Sequence, residues 1–336
     1  MADAPSRVRA PVRVGLLGGG VIGGGWAARF ALAGTEVREY DPDPEAERKL
    51  AEVMAGARRA WGELTDVPLP PEGPLRVVGS VAEAVDGAAL VQESAPEVPG
   101  LKQRLLGEAD RHADPSTLIA SSTSGLRPSV LQEQMGRPER MVVAHPFNPV
   151  YLLPLVELCA GSRTDPATVG RAAAVYESVG MRPLVVRREV DGFVADRLLE
   201  ALWREALWLV EDGIATVEEV DDAIRYGAGL RWSFMGTYLT YRIAGGEGGM
   251  RHFMEQFGPA LQWPWTHLME VPELTDTLLD RIADQSDAQA GGATVRELER
   301  LRDRCLVAVM RGLRSVPYGA GETLAAYESR LAAPTP

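Results

Sequence analysis

A chain of 336 residues with 46% hydrophobic and 24% charged residues is long enough to form two globular domains. Its formal net charge of −12 disfavours nucleic acid or an anionic membrane surface as the main partner, because either would repel the protein. Two cysteines, four histidines and the lack of a long apolar stretch lead us to expect no disulfide framework, no metal centre and a cytoplasmic location.

The first predicted element is a short apolar strand, Val12 to Leu17, that runs directly into a glycine-rich turn and a helix of small residues. A G-x-G-x-x-G pattern between a strand and a helix is typical of a loop that binds the pyrophosphate of a dinucleotide. Glycine allows the tight turn, the approach of the backbone to the phosphates and the close packing of the helix on the sheet. The candidate cofactor-binding residues of this loop are Gly18, Gly19, Gly20, Val21, Ile22 and Gly23.

The second predicted strand, Thr35 to Tyr40, ends at Asp41. A carboxylate at this point accepts a hydrogen bond from the adenosine ribose 2′-hydroxyl and repels a 2′-phosphate. Asp41 could instead be a turn residue before Pro42. The pattern favours NAD over NADP as the cofactor.

Strand and helix patterns then alternate as far as Arg188, which is typical of a doubly wound, mostly parallel sheet of the Rossmann type. Ligands bind to such sheets at the carboxyl ends of the strands. Polar residues follow several of the predicted strands at this edge, and we expect them to share one site: Asp41, Glu93, Ser124 and His145.

His145 and Glu157 lie in two short apolar runs joined by a proline-rich loop, so that two strands can bring them side by side. A neutral imidazole oriented by a buried carboxylate is a general base suited to neutral pH. The alternative is a loop histidine beside an edge strand, since such pairs are often structural.

After Asp191 the sequence shows helical periodicity with almost no strand pattern. We therefore predict an NAD-binding α/β domain over residues 1–189, which carries the catalytic residues, and an all-helical substrate and dimerisation domain over residues 190–336. The tail after Gly319 is expected to be frayed. The apolar surface of the helical part favours a homodimer.

Five segments spread along the chain resemble the L-3-hydroxyacyl-CoA dehydrogenase family: GGGVIGGGWAARFALAG, VQESAPE, SSTSG, AHPFNPVYLLPLVEL and DGFVADRLLEAL. The resemblance implies NAD-dependent oxidation of a 3-hydroxyl group. It also implies site residues beyond the glycine-rich loop, namely Ser124, His145 and Glu157 in catalysis, Asn148 at the nicotinamide or substrate, and Glu93 and Lys102 near the cofactor ribose.

The junction helix departs from the family pattern, because Asp196 stands where an asparagine is expected. Aromatic residues are concentrated in the helical part, and an aromatic cage with a nearby carboxylate is suited to a quaternary ammonium group. The segment from Gly229 to Trp265 resembles the branch of the family that oxidises L-carnitine, a zwitterionic 3-hydroxy acid. The candidate substrate residues are Asn148, Asp196, Trp232, Phe234 and Tyr238, with Arg197 or Arg231 for the substrate carboxylate.

Three other functions stay open on the sequence. One is oxidation of a sugar acid by a relative similar to lambda-crystallin, such as an L-gulonate 3-dehydrogenase, and another is oxidation of a short-chain 3-hydroxyacyl-CoA. The third is a non-catalytic NAD-binding or structural protein, which the complete set of Ser124, His145 and Glu157 disfavours. The aromatic residues could equally pack helices or a subunit interface.

Overall fold

The computed structural model describes residues 10–333, apart from 246, 248, 258–263, 265, 268, 269, 271, 272, 274 and 317. Within these residues, one sheet contains the strands β1 Arg13–Leu17, β2 Glu36–Tyr40, β3 Leu75–Val77, β4 Leu90–Glu93, β5 Leu118–Ser121, β6 Met141–Pro146, β7 Leu155–Ala160 and β8 Arg182–Val186. Their order across the sheet is β3-β2-β1-β4-β5-β6-β7-β8. Neighbouring strands are parallel except for β6 and β7, which are antiparallel.

Helices connect the strands, as parallel pairing requires. They are α1 Val21–Leu32, α2 Ala46–Leu64, α3 Val81–Val85, α4 Pro99–His112, α5 Pro128–Leu131 and α6 Pro166–Ser178, with 3-10 turns at Gln132–Gln134 and Pro138–Arg140. Successive strand residues point to opposite faces. Accordingly, Leu16 packs in one buried cluster with Trp26 of α1, while Leu17 packs in another with Leu106 of α4. Because both faces are covered, the predicted doubly wound sheet is confirmed.

The remaining helices follow the sheet in the chain. They are α7 Ala195–Glu211, α8 Val217–Ala223, α9 Gly229–Trp232, α10 Thr237–Ala244, α11 Gly249–Phe257, α12 Asp276–Ala290, α13 Val295–Leu313 and α14 Gly319–Ala332, with a π-helical turn at Ile224–Ala228. The predicted helical character of this part is confirmed. Among the described residues, no helix has both the length and the apolar character needed to cross a membrane.

The chain divides into two compact units. The first contains the residues up to Val194 together with Asp303–Val316 and the C-terminal helix, and the second is built mainly from Ala195–Arg302. Within the second unit, the Arg281 guanidinium of α12 donates to the carbonyl oxygens of Val210 and Glu211 at the end of α7.

The expected fraying after Gly319 is wrong for the described residues, because α14 packs within the first unit. The Tyr327 ring meets the Trp61 ring edge-on at 5.6 Å between centroids. The Thr65 hydroxyl donates to the Glu328 carboxylate over 2.7 Å. The buried residues of α14 are separated from one another at helical spacing, so they form no continuous apolar run in the sequence.

Candidate active site

His145 and Glu157 are cross-strand neighbours. They are register partners on the antiparallel strands β6 and β7. His145 Nδ1 lies 3.0 Å from Glu157 Oε2, and the two side chains are 5% and 0% exposed. Because the carboxylate is an acceptor, it favours the proton on Nδ1 and so places the lone pair of the neutral imidazole on Nε2. The structure thus brings together the two residues whose contact was predicted, while their catalytic roles stay a prediction.

Groups that the sequence reasoning missed hold this pair in place. Val194 N–H donates to Glu157 Oε1 over 3.0 Å. The rings of Phe147 and Phe193 lie with their centroids 5.1 and 5.7 Å from that of His145. Phe193 is buried and adopts a positive φ of 47°, which non-glycine residues seldom do. The turn at residues 191–194 therefore delivers both a ring and an N–H to the pair, and no local sequence pattern marks either contact.

Ser124 is exposed on the loop after β5, and Glu97 holds its two neighbours. The Thr123 hydroxyl donates a short hydrogen bond to Glu97 Oε1, and Gly125 N–H donates to the same oxygen over 3.2 Å. Burial acts to raise the pKa of Glu97, but the bond from Thr123 and the charge of Lys102 outweigh it and lower that pKa. An ionised Glu97 therefore fixes the loop that presents Ser124, a role without a local sequence signal.

Glu93 and Lys102 form a buried ion pair at the end of β4. Lys102 Nζ lies 2.9 Å from Glu93 Oε1, 2.9 Å from Ala95 O and 3.2 Å from Glu97 Oε2, and its side chain is 1% exposed. These three acceptors match the three donors of an ammonium group. The Ser121 hydroxyl also donates to Glu93 over 2.5 Å, so the pair ties β4 to β5. A contact of Glu93 or Lys102 with the cofactor ribose stays a prediction.

The glycine-rich loop has the shape of a phosphate cradle. Gly18 has a φ of +100°, and a Cβ on Gly23 would lie 1.7 Å from Gly18 O, so neither position accepts a side chain. A Cβ on Gly20 would meet nothing within 4 Å, so the loop is open there. The first turn of α1, which begins with Val21 and Ile22, has no side-chain cap. Its uncapped N–H groups suit a phosphate.

Asp41 follows β2 directly and is joined to this loop. Its Oδ2 accepts Gly19 N–H over 2.6 Å, and its Oδ1 accepts Asp43 N–H over 2.8 Å. Asp43 in turn pairs with Lys49. A carboxylate here suits the ribose hydroxyl and repels a 2′-phosphate. The open cradle and Asp41 together fit NAD, as predicted.

A further carboxyl group lies two residues before Asp41 in β2. Glu39 is 0% exposed, and neither of its oxygens has a hydrogen-bond partner among the described residues. Burial, reinforced by the charge of Asp41, raises the pKa of Glu39 to about 7. The sequence reasoning missed this residue, because glutamate in a strand is ordinarily assigned to an exposed face.

Glu39 should make the stability of the ligand-free protein depend on pH. Its pKa rises from 4.5 to about 7 on folding, so the stability it contributes is full below pH 4.5 and is lost as the pH rises through about 7. Glu39→Leu removes this pH-dependent loss. The free energy of unfolding of the variant, relative to that of the wild type, should therefore be higher at about pH 8 than at about pH 5, by at most about 3 kcal/mol. Urea unfolding at both pH values measures this, and an equal effect at both would contradict it.

The loop between β6 and β7 is held from α1 and α2. The buried Arg29 guanidinium donates to Val150 O over 3.1 Å and to Leu153 O over 3.2 Å. Trp61 Nε1 donates to Tyr151 O over 2.6 Å. Burial lowers the pKa of Arg29 to about 10, which keeps it charged at neutral pH. These bonds fix the connection between the two strands of the histidine–glutamate pair.

The residues predicted to bind substrate are exposed or partly exposed. Asn148 is exposed on the β6–β7 loop, and Asp196 is partly exposed in the first turn of α7. In the second unit, the exposed fractions of Trp232, Phe234 and Tyr238 are 45%, 41% and 83%. Their roles in substrate binding stay predictions.

Two more pairs of residues were considered for the substrate. Arg197 and Arg231 are both exposed in the second unit, and a role in binding the substrate carboxylate stays a prediction. Trp263 and Trp265, part of the aromatic set, lie outside the described residues.

Comparison with known proteins gives consistent family matches. The model of the 3-hydroxyacyl-CoA dehydrogenase NAD binding domain matches residues 13–190, and that of the C-terminal domain matches residues 192–277. The L-carnitine dehydrogenase of Mesorhizobium japonicum is 55% identical over 321 residues, which is 94% of this chain and 88% of the relative.

A second relative is longer than this chain. The L-carnitine dehydrogenase/betainyl-CoA thioesterase of Ruegeria pomeroyi is 57% identical over 316 residues, and the match covers 94% of this chain but 65% of the relative. The chain thus spans less than two thirds of that protein.

Among solved structures, the NAD+-dependent dismutase 5-formyl-3-hydroxy-2-methylpyridine 4-carboxylic acid 5-dehydrogenase is similar to this chain, with a TM-score of 0.75 and 30% identity. The match covers 90% of this chain and 98% of that one.

Proposed function

The chain belongs to the 3-hydroxyacyl-CoA dehydrogenase family, and from this premise we propose that it oxidises the 3-hydroxyl group of L-carnitine to 3-dehydrocarnitine with NAD. The buried pair of His145 and Glu157 carries the proposal for the chemistry. It lies near the carboxyl end of β6, on the edge of the sheet where Asp41 and the glycine-rich cradle lie. The identity of the alcohol is supported by the resemblance and by the names of the relatives.

Oxidation of a secondary alcohol removes a proton from oxygen and a hydride from carbon. His145 Nε2 takes the proton, and Glu157 stabilises the imidazolium that forms. General-base assistance of this kind contributes about 10²–10⁴ in rate. NAD, when bound, supplies the hydride acceptor. Ser124, which lies on the loop that Glu97 holds in place, donates a hydrogen bond to the substrate oxygen.

L-Carnitine places opposite charges at its two ends. In this proposal the trimethylammonium group is held by Asp196 and by aromatic rings from the set Trp232, Phe234 and Tyr238, through charge and cation–π attraction. The formal net charge of −12 disfavours the extended basic groove that a CoA polyanion would need.

Initial rates of NADH formation with L-carnitine, L-gulonate and a 3-hydroxybutyryl thioester, measured in parallel, test the substrate. We expect the highest kcat/KM for L-carnitine. Turnover of the thioester alone would overturn the carnitine proposal in favour of an acyl-CoA dehydrogenase. A lack of turnover with all three, together with tight NAD binding, would favour a non-catalytic protein.

We also propose a homodimer formed mainly through the helical part after Asp191. Helix α7 exposes several large apolar side chains, and such patches mark association surfaces: Leu198, Leu199, Leu202 and Trp203. The expected mass at micromolar concentration, measured by sedimentation equilibrium, is twice the 36.3 kDa of the chain. Leu198→Glu should shift it toward the monomer, and a monomeric wild type would contradict the proposal.

A further inference from the structure

We propose that Glu39 is a proton-coupled part of the NAD site: the cofactor binds to the form of the protein in which Glu39 carries a proton, so that binding takes up a proton from solution. The proposal depends on NAD binding and not on the identity of the alcohol. Its test uses no substrate, so its outcome is independent of the proposed function.

Glu39 lies directly beside the glycine-rich loop. Glu39 is the penultimate residue of β2, and Asp41 follows the strand directly. A Cβ on Gly19 would lie 2.2 Å from Glu39 Oε1 and 3.4 Å from Asp41 Oδ2, so both carboxyl groups lie directly against the glycine-rich loop. Glu39 is therefore a neighbour of the phosphate cradle and not part of a remote core.

Among the described residues, no cationic side chain and no hydrogen bond balances a negative charge on Glu39. Its register partners are Leu16 of β1 and Val77 of β3, which are apolar, and the loop presents the backbone of Gly19. The charged group that acts on it in the described part of the chain is Asp41, which is also acidic. Both Glu39 oxygens are buried without a hydrogen-bond partner among the described residues.

A bound dinucleotide adds further negative charge at this place, because its pyrophosphate lies on the glycine-rich loop. Like charges disfavour ionisation of a neighbouring carboxyl group. The pKa of Glu39, about 7 in the free protein, must therefore rise when NAD binds. Above pH 7, NAD binding is then coupled to protonation of Glu39, and the apparent affinity for NAD falls as the pH rises.

Isothermal titration calorimetry of NAD binding tests this directly. The difference between the binding enthalpies in phosphate and Tris buffers gives the number of protons taken up. For the wild type near pH 8 we expect about half to one proton per NAD. The dissociation constant should rise by up to about tenfold per pH unit above pH 7. Neither measurement needs a variant, so both remain informative if a substitution at Glu39 prevents folding.

Two variants and one control complete the test. Glu39→Gln and Glu39→Leu should both abolish proton uptake and leave NAD affinity constant within about twofold between pH 7 and pH 9. Glu36→Gln is the matched control, because Glu36 lies on the opposite face of the same strand and pairs with Arg13 and Arg38. It should keep the wild-type pH dependence. No proton uptake by the wild type, or equal pH dependence in wild type and Glu39 variants, would overturn the proposal.

Discussion

Replacing His145 with alanine should lower kcat for L-carnitine oxidation by about 10²–10⁴ while the dissociation constant for NAD stays within about twofold of wild type. The expected loss follows from the proposed role of His145 Nε2 as the base, with Nδ1 lying 3.0 Å from Glu157 Oε2. NADH formation under saturating NAD gives kcat, and calorimetry gives the affinity for NAD.

His112→Ala is the matched control, since His112 is exposed at the end of α4 and should be replaceable without loss of turnover. Glu157→Gln should also lower kcat, because an amide cannot stabilise the imidazolium by charge. Turnover of His145→Ala within a few-fold of wild type, with NAD bound normally, would show that another group is the base.

Lys102→Met should lower the free energy of unfolding by about 3–5 kcal/mol, because it leaves the fully buried Glu93 carboxylate without its partner. The other lysine, Lys49, is 47% exposed, and Lys49→Met should change stability by less than about 1 kcal/mol. Guanidinium unfolding monitored by circular dichroism measures both. A comparable small effect of the two substitutions would show that the buried pair contributes little.

The double variant Glu93→Gln/Lys102→Met distinguishes the effect of the buried charges on stability from the effect of side-chain packing. Removing both charges should restore most of the lost stability, because the amide oxygen of a glutamine can still accept the hydrogen bond from Ala95 N–H while its NH2 group donates to the Ser121 hydroxyl. If the double variant is as unstable as Lys102→Met, the loss comes from the missing side-chain volume and not from the uncompensated charge.

Features with local causes could be predicted from the sequence. The cradle was predictable because the positive φ of Gly18 and the close approach of Gly23 to Gly18 O are requirements set within a few residues of the chain. The contact of His145 with Glu157 was predictable because two strands and a short loop bring their ends together. The place of Asp41 beside the glycine-rich loop was predictable because the second strand of such sheets ends next to that loop.

Features that depend on contacts between distant residues could not be predicted. Glu97 holds the Ser124 loop from 26 residues away in the chain. The role of Phe193 depends on a positive φ and on the position of β6, neither of which has a pattern in the sequence. Burial of Glu39 depends on which face of β2 the glycine-rich loop covers, and the charge alone suggested an exposed side chain.

The comparison of L-carnitine with 3-hydroxy-5,5-dimethylhexanoate, the isostere that lacks the cationic group, tests the central claim most directly. The isostere keeps the carboxylate, the hydroxyl and the shape, and replaces the trimethylammonium group with a tert-butyl group of similar size. Recognition of the cation predicts a kcat/KM for L-carnitine at least about tenfold higher, since a desolvated cation–π contact contributes about 2 kcal/mol. No turnover of L-carnitine, or equal kcat/KM for both compounds, would contradict the account.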